Sequence, residues 1–250
     1  MRNKLGQISW QIEDFESEVL GIRSATVVID ISMGSRDFKK LFPRVLENMQ
    51  LNGVQFVSCR LDSRQAKHSK ALNKFGFCRA DRIVSFQRRI YPVPIVENTA
   101  SLILADRSKV EECSNIARQS FAFDRFHNDP LISEEQANNL KACWIENDIS
   151  GRADICFVAV EKNNKITGFI ACLDNAETVV IDLIAVDQNY RGKGIGSRLI
   201  AFALGHYQKN PLIKTMLVGT QELNLPSISL YKKMGFSSVA VSETFHFHMT

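Results

Sequence analysis

The strongest constraint on the fold lies between residues 179 and 203, where the sequence reads VVIDLIAVDQNYRGKGIGSRLIAFA. An apolar, strand-like run over 179–186 breaks at Asp187, and a glycine-dense segment then leads into an apolar helical pattern. Strand, glycine loop and helix N-terminus in this order form an anion site. The first amides of a helix have no intrahelical partner, and glycines let a phosphate approach the backbone. The stretch therefore predicts an α/β chain with a phosphate-binding loop.

The glycine spacing limits which phosphorylated ligand fits this loop. Gly192, Gly194 and Gly196 follow the order G-x-G-x-G behind Arg191. The dinucleotide fingerprint requires G-x-G-x-x-G, and the P-loop requires G-x-x-x-x-G-K-[ST]. Both are absent from this stretch, and the alternative without a ligand is a glycine-rich turn.

Arg191-x-x-Gly194-x-Gly196, behind a strand that ends Ile184-Ala185-Val186, resembles the acyl-CoA pyrophosphate loop of the GNAT superfamily of N-acyltransferases. The resemblance implies a GNAT fold of the α/β (α+β) class, a mixed central β-sheet flanked by helices. It also implies acetyl-CoA as acyl donor and no metal. Backbone of the last strand residues would contact the pantetheine arm and polarise the thioester, and loop amides would hold the phosphates. The positions that it assigns to cofactor binding are Ile184, Ala185, Val186, Arg191, Gly192, Lys193, Gly194, Ile195, Gly196 and Ser197.

A second motif lies downstream, where Asn224 and Tyr231 occur in N-L-P-S-I-S-L-Y-K-K-M-G-F. This resembles the N-x6-Y-x-K-x-G-F signature of the same superfamily, which implies that Asn224 contacts the cofactor and that Tyr231 protonates the departing thiolate. A phenol with a pKa of about 10 roughly matches an alkyl thiol, so the chemistry is reasonable. Taken alone, Tyr231 would be read as a core aromatic residue.

Two further polar positions stand in apolar surroundings. Asp182 interrupts the run VVIDLIAV, and it is either a general base at the mouth of splayed strands or a paired structural acid. His246 and His248 alternate on one strand, so their side chains share a face, but two histidines alone are weak evidence for a metal.

The acceptor side is predicted in the irregular stretch FDRFHNDP, where the candidates are Arg125, Phe126, His127 and Asp129. An ordered loop without ligand is the alternative. Residues 120–149, with Arg125-Phe126 and the run 144–147 (WIEN), resemble a GNAT branch that acetylates nucleotide-linked amino sugars. The resemblance implies a small-molecule substrate of the dTDP-4-amino-4,6-dideoxyhexose type. The alternatives are a GNAT enzyme acting on a peptide N-terminus, a polyamine or another small amine, and an acyl-CoA-binding module without turnover.

An internal repeat bears on domain organisation. Residues 54–86 track residues 215–247, and the corner 74–77 (KFGF) aligns with 233–236 (KMGF). Gln65 stands where the second copy has Asn224, and Leu72 stands where it has Tyr231. We therefore predict a degenerate GNAT-like domain at 1–95, a linker marked by Pro92 and Pro94, and a catalytic GNAT domain at 96–250.

Composition bounds the remaining possibilities. Residues 1–95 carry 16 Lys and Arg against 9 Asp and Glu, but these charges are dispersed and lack interleaved aromatics, so we expect a solvated basic face and no nucleic-acid partner. No run approaches the roughly 20 apolar residues of a membrane span, and the N-terminus lacks the apolar core of a signal peptide. Six cysteines without a C-x-x-C pattern predict buried free thiols in a reducing cytoplasm. A homodimer is possible, but the sequence leaves the oligomeric state open.

Overall fold

The computed structural model describes residues 3–91, 101–161 and 163–249. The helices are α1 (Asp14–Leu20), α2 (Ser35–Leu51), α3 (Ala66–Lys74), α4 (Val110–Arg118), α5 (Glu134–Asn147), α6 (Ile195–Tyr207) and α7 (Leu225–Lys233). The strands are β1 (Asn3–Leu5), β2 (Ile8–Ile12), β3 (Ser24–Ile29), β4 (Phe56–Asp62), β5 (Cys78–Arg89), β6 (Leu102–Leu104), β7 (Ile155–Val160), β8 (Ile166–Asn175), β9 (Thr178–Val186), β10 (Thr215–Gln221) and β11 (Ser237–His248).

The chain divides into two compact units, and neither is a single continuous segment. The first unit is Met1–Val84, Phe123–Ala137 and Ala240–Thr250, and the second is Ser85–Ala122 and Asn138–Val239. These ranges differ from the predicted ranges 1–95 and 96–250 because residues 123–137 and 240–250 group with the N-terminal part. The prolines of the predicted linker lie outside the described residues. Two independently folding domains stay a prediction.

In the first unit, a mixed sheet has the order β1-β2-β3-β4-β11. The pair β3–β4 is parallel, while β1–β2, β2–β3 and β4–β11 are antiparallel. Helix α2 supplies much of the core. Its apolar residues Phe38, Phe42, Val45 and Met49 recur at helical spacing and are all buried. This stripe is the buried face of an amphipathic helix.

In the second unit, the order β10-β9-β8-β7-β6 places one parallel pair, β9–β10, beside three antiparallel pairs. A core cluster joins α4 and α5 to alternate residues of the sheet, including Leu183 and Ala185 of β9. Along β9 every second residue is buried, which is the period-2 pattern of a strand. Mixed sheets with flanking helices confirm the predicted fold class.

The repeated elements agree in length. The segments β4-α3-β5 and β10-α7-β11 contain 7, 9 and 12 residues each. Phe56 corresponds to Thr215 and Arg89 to His248 with no insertion between them. The first copy therefore begins at Phe56 and not at Val54, which corrects the sequence alignment by two residues at its start.

The two copies also end their helices in the same way. Gly76 and Gly235 have φ of 87° and 79°, values that residues with a side chain rarely adopt. Across each glycine a backbone hydrogen bond closes the turn, from Phe77 N–H to Leu72 O at 3.1 Å and from Phe236 N–H to Tyr231 O at 3.0 Å. The glycine stop predicted in each copy is confirmed.

Several features were predicted incompletely. The hairpin β1–β2 and strand β6 were not predicted, and the helix expected at 106–123 is the shorter α4, preceded by a 3₁₀ turn at 107–109. All six cysteines are free, but Cys78 is exposed and Cys143 half-buried, so burial holds for four of them. Within the described ranges, no helix combines the length and apolarity that a bilayer crossing requires.

Candidate active site

Strands β9 and β10 separate along their length. They pair over Thr178–Ile181 and Thr215–Val218, yet β9 continues to Val186 and β10 to Gln221. On its other edge β9 stays paired with β8 as far as Val186. The last residues of β9 therefore have one edge directed away from β8 and beyond the final β10 pair. Among the described residues, the backbone groups on that edge lie beyond the β9–β10 pairing, and one of them, Val186 O, accepts from Arg191 Nε. The predicted Ile184, Ala185 and Val186 lie in this segment.

A β-bulge lies where the strands part. Ile181 pairs with Cys172 and Leu183 with Ala171, so Asp182 is the extra residue on β9. A bulge bends its strand and increases the local twist. The bulge thus coincides with the point where β9 leaves β10.

The glycine loop presents backbone amides at the end of β9. Gly192 and Gly194 have φ of 78° and 76°, and Gly194 is the N-cap of α6 without a side-chain hydrogen bond. The Arg198 N–H donates to Gly194 O, which leaves the amides of residues 195–197 outside the helical ladder. A Cβ on Gly196 would lie 3.1 Å from a methyl of Leu230, so this glycine allows close contact between α6 and α7. The predicted loop residues form an N-terminal amide cluster that suits an anion.

Basic side chains flank this loop. Arg191 is exposed, and its Nε donates to Val186 O at 3.2 Å, which joins the loop to the strand end. The Lys193 and Lys165 ammonium groups lie 4.6 and 5.1 Å from the Tyr190 ring centre. These charges raise the local positive potential, which favours a polyanionic ligand.

Tyr231 is buried in α7, with 3% of its surface exposed, and its ring lies 5.9 Å from both Phe86 and Phe236. Burial raises the pKa of the Tyr231 hydroxyl above its usual value. The pKa of this phenol therefore lies above the value of about 10 at which it would match an alkyl thiol. The phenol remains protonated at neutral pH, as a proton donor must.

Asn224 is the N-cap of α7. Its side-chain oxygen accepts a hydrogen bond from Ser227 N–H at 3.3 Å, with Pro226 in the first turn. This is the usual structural role of Asn at a helix start. The side-chain amide nitrogen is not used by this cap.

The Asp182 carboxylate is held by the segment that ends α5. Trp144 Nε1 donates to Asp182 Oδ2 at 2.8 Å, and Arg152 donates to the same oxygen at 2.7 and 2.8 Å. Arg152 also donates to Asp148 Oδ1 at 2.7 Å. Of the two interpretations that the sequence left open, the structure gives Asp182 the partners of a paired acid, at the point where the strands part.

Asp148 was not predicted. It begins a π-helical turn, Asp148–Arg152, in which Gly151 has a φ of 118°. Burial raises the pKa of Asp148 to about 7, and the nearby Asp182 carboxylate adds to the shift. The i,i+4 spacing of an acid and an arginine was the available sequence signal, but it also describes many surface ion pairs.

The predicted acceptor residues lie in the first unit, bound to partners there. Asp129 Oδ2 contacts His246 Nδ1 at 2.7 Å and His248 Nε2 at 2.9 Å. Burial alone would raise the pKa of Asp129, but hydrogen bonds from both histidines hold it at about 2. Arg125 pairs with Glu16, and its NH1 lies 3.3 Å from His246 Nε2. Asp129 and Arg125 thus belong to a buried ionic network.

The other two acceptor candidates are also enclosed. Phe126 is buried, with the Arg125 guanidinium 4.1 Å above its ring centre. His127 Nδ1 lies 2.9 Å from Asp124 Oδ2. Tyr231, Asp182 and the glycine loop belong to the second unit, so the structure does not group these four residues with them. Among the described residues, no cluster of three or more His, Cys, Asp or Glu is arranged for a metal ion.

A cavity of about 200 Å³ in the second unit was not predicted. It opens beside the turn after β9, and its lining is mostly polar: Glu112, Asn115, Gln119, Ser120, Lys165, Asp187 and Gln188, with Ile116 and Ile166. Pockets for drug-sized ligands measure about 300–1,000 Å³, so this one suits part of an acceptor.

Comparison with known proteins agrees with this geometry. Residues 115–236 match the family described as "Acetyltransferase (GNAT) family". That segment contains the splayed strands, the glycine loop, Asn224 and Tyr231. The GNAT fold and the transferase class predicted from the sequence are thereby confirmed.

Individual relatives cover different parts of the chain. The spore coat polysaccharide biosynthesis protein SpsD of Bacillus subtilis is 24% identical over 98% of this chain and 83% of its own length. The N-acetylaspartate synthetase of Xenopus tropicalis is 35% identical, over 35% of this chain and 33% of its own length. The crystal structure of a GCN5-related N-acetyltransferase from Sphaerobacter thermophilus superposes with a TM-score of 0.68 at 15% identity, covering 97% of this chain and 76% of that one.

Proposed function

We propose that this GNAT acetyltransferase moves an acetyl group from acetyl-CoA to the amine of a nucleotide-linked amino-dideoxy sugar. The sugar would be of the dTDP-4-amino-4,6-dideoxyhexose type, and its product would enter surface polysaccharide. The observation that carries the donor side is the parting of β9 from β10 after Ile181, directly before a glycine loop of free helix amides.

The donor would lie along the open edge of β9. Its pyrophosphate would be held by amides of residues 192–197 with Arg191 and Lys193 nearby, because both the helix dipole and the side chains there are positive. Its pantetheine arm would add to the edge of residues 184–186 as an extra strand does. Asn224, at the start of α7, would contact the arm through its unused amide nitrogen. Acetyl-CoA supplies an activated thioester carbonyl.

Catalysis would need no covalent enzyme intermediate. The amine attacks the thioester carbonyl while β9 amides donate to the developing oxyanion, a contribution worth about 10²–10³ in rate for one such donor. Tyr231 then gives its proton to the leaving thiolate. Burial raises the pKa of the hydroxyl and keeps it protonated, so contact with the bound donor would have to bring that pKa back toward the pKa of the thiol for efficient transfer. Asp182 would accept the proton of the amine.

The acceptor assignment rests on two observations. SpsD, a relative over nearly the whole chain, is by its name a polysaccharide biosynthesis protein. In addition, residues 120–149 resemble dTDP-fucosamine acetyltransferase in the Arg125-Phe126 pair and in the run 144–147. We place the sugar ring in the polar cavity beside Asp187. The amide and hydroxyl side chains that line this cavity suit sugar hydroxyls. The predicted acceptor residues would then not bind the sugar directly. They would instead stabilise their own segment, 123–130, through Arg125, Phe126, His127 and Asp129.

A second candidate is acetylation of a small amine without a nucleotide. The match to N-acetylaspartate synthetase over 95 residues favours it, since that protein's name describes an amino acid as the acetylated product. The donor site would be unchanged, and the acceptor would lack the nucleotide.

The experiment is a thermal-shift series and then an assay of thiol release. Acetyl-CoA should raise the Tm, and dTDP or UDP amino sugars should raise it further, since a ligand that binds only the folded state stabilises it. Thiol release should require the amine, with the matching hydroxyl sugar nucleotide as control. Stabilisation by acetyl-CoA without any response to nucleotide sugars, together with turnover of aspartate or a polyamine, would replace the first candidate with the second.

A further inference from the structure

Two carboxyl groups face each other across a single arginine in the second unit. Arg152 NH1 donates to Asp148 Oδ1 at 2.7 Å and to Asp182 Oδ2 at 2.8 Å, and its NH2 donates again to Asp182. The Asp148 side chain is wholly buried, whereas 15% of the Asp182 side chain is exposed. One positive charge therefore stands against two acids, one of which is inaccessible to water.

The second carboxylate oxygen of Asp148, Oδ2, indicates where the two acids would hold a proton. Asp148 Oδ2 is buried and has no hydrogen-bond partner among the residues that the structure describes. A buried carboxylate oxygen without a donor is costly, but a protonated Oδ2 becomes a donor itself. Asp182 accepts from the same Arg152 nitrogen, and it raises the pKa of Asp148 both by its charge and by a side-chain hydrogen bond. The orphan oxygen is satisfied once the two acids share one proton.

We infer that Asp148 and Asp182, clamped by Arg152, form a proton-sharing carboxyl pair that accepts the proton lost by the acceptor amine. The inference rests on the proposed N-acetyl transfer and deepens it. Asp182 is the bulge residue at the point where β9 leaves β10, and 15% of its side chain is exposed there. Asp148 acts through Asp182 and is a positioning residue, not a catalytic one.

Protons are conserved in each step of this transfer. The acceptor ammonium gives one proton to the unprotonated pair, which then holds one shared proton, and the free amine forms the C–N bond. The C–S bond breaks, and the thiolate takes a proton from Tyr231, which recovers one from the amide nitrogen through solvent. The shared proton finally leaves through the exposed edge of Asp182. The net reaction releases one proton, one thiol and one amide.

The charged and titratable groups around the pair set its working range. Burial and the Asp182 carboxylate raise the pKa of Asp148 to about 7, and Arg152 opposes this shift. From β7 and β8, the buried thiols of Cys156 and Cys172 face the pair, and burial keeps both thiols neutral. The pair is therefore a base matched to neutral pH, and below about pH 7 it already carries its proton.

Asp148→Asn tests the inference, because the amide still accepts from Arg152 and donates to Asp182 but cannot exchange a proton. We expect the acid limb of the kcat profile to lie near pH 7 in the wild type. In Asp148→Asn it should move down by at least one pH unit, with a plateau lowered about 10²-fold. Arg152→Gln should move the limb upward, since removal of the positive charge favours the protonated pair. Asp174→Asn, which removes an exposed carboxylate from β8, should change neither value.

A second readout does not depend on turnover. A carboxyl whose pKa is raised in the folded state stabilises the fold below its unfolded pKa of about 4, and that stability is lost as pH rises to about 7. The urea midpoint of Asp148→Asn relative to wild type should therefore rise between these pH values. A difference that is constant with pH, or an unchanged acid limb in an active Asp148→Asn, would overturn the shared proton. Absence of transfer to any amine by the wild type would overturn the proposed function and the catalytic role of the pair. The urea series would still show whether Asp148 and Asp182 share a proton.

Discussion

The parallel pair β3–β4 in the first unit and the pair β9–β10 in the second differ less than their sequences suggest. The first pairs Ser24–Val27 with Phe56–Cys59, and the second pairs Thr178–Ile181 with Thr215–Val218. Four residue pairs form in each case, and then both strands continue beyond the pairing. The parting of the strands is thus a property of the repeated scaffold. A ligand site requires something in addition.

The additional feature is the connection between the strand and the next helix. After β3, residues 30–34 lead directly to α2, whereas after β9 the longer segment 187–194, with two left-handed glycines, leads to α6. In the first copy Gln65 Nε2 donates to Ile29 O at 3.2 Å, and its Oε1 accepts from Asp62 N–H at 3.0 Å. The first copy therefore satisfies the backbone at the end of its strands with its own side chain.

The second copy has Asn224 where the first has Gln65, and the shorter side chain caps its own helix instead. In the proposed donor site, the corresponding strand end of the second copy would contact the ligand. Leu72 and Tyr231 show the same contrast. Their carbonyls accept equivalent hydrogen bonds across the glycine corner, but only Tyr231 carries a hydroxyl. The two copies thus differ at few positions within segments of equal length, and the proposed binding chemistry depends on those positions and on the longer connection after β9.

The largest effect is expected from Leu72→Ala in the first copy. Leu72 is fully buried in the core cluster of that unit, so the truncation should lower the free energy of unfolding by about 3 kcal/mol, within the 2–5 kcal/mol typical of such cavities. Chemical denaturation measures this loss. The kcat of the folded variant should stay within about twofold of wild type. A tenfold loss of kcat in well-folded protein would show that the first copy takes part in the reaction.

Tyr231→Phe is the matching change in the second copy, and its effect should be kinetic. Removal of the hydroxyl should lower kcat by roughly 10², which corresponds to about 2.7 kcal/mol of transition-state stabilisation, with little change in acetyl-CoA affinity. The free energy of unfolding should change far less than in Leu72→Ala, because the ring and its neighbours Phe86 and Phe236 remain. Steady-state kinetics measure the change in kcat, and isothermal titration calorimetry measures the affinity for acetyl-CoA. An unchanged kcat would remove Tyr231 from the mechanism.

Local signals in the sequence predicted the elements of this contrast. Glycine stops at Gly76 and Gly235 and the strand-loop-helix at 179–203 depend on neighbours in the chain, and all three are confirmed. The differences between the copies, Gln65 against Asn224 and Leu72 against Tyr231, could be read from their alignment. Their structural effects could not, because the hydrogen bond from Gln65 to Ile29 O joins residues 36 positions apart.

Contacts between distant segments account for the other omissions. The acceptor side was predicted in the stretch 123–130, and nothing in the sequence indicated that Asp129 there binds His246 and His248, more than 100 residues away. Asp148 was not predicted, because its raised pKa comes from burial and from Asp182, a residue of the distant strand β9. A pattern along the chain reports which face of an element is apolar. It does not report which charged groups will share one buried space.

The smallest effect, and the sharpest test of the distinction between the copies, is expected from Gly194→Ala. Gly194 and Gly21 have φ of 76° and 69°, and a Cβ on either would meet nothing within 4 Å, so the cost of a side chain is the left-handed conformation alone. That cost is about 1–2 kcal/mol per residue. Gly21→Ala should lower the free energy of unfolding by about 1 kcal/mol and leave acetyl-CoA binding unchanged. Gly194→Ala should show a similar loss and also weaken acetyl-CoA about tenfold, because the loop relaxes away from the conformation that aims its amides at the phosphates. Equal acetyl-CoA affinities in the two variants would mean that the glycine loop is only a turn, and the difference between the copies would then rest on Asn224 and Tyr231.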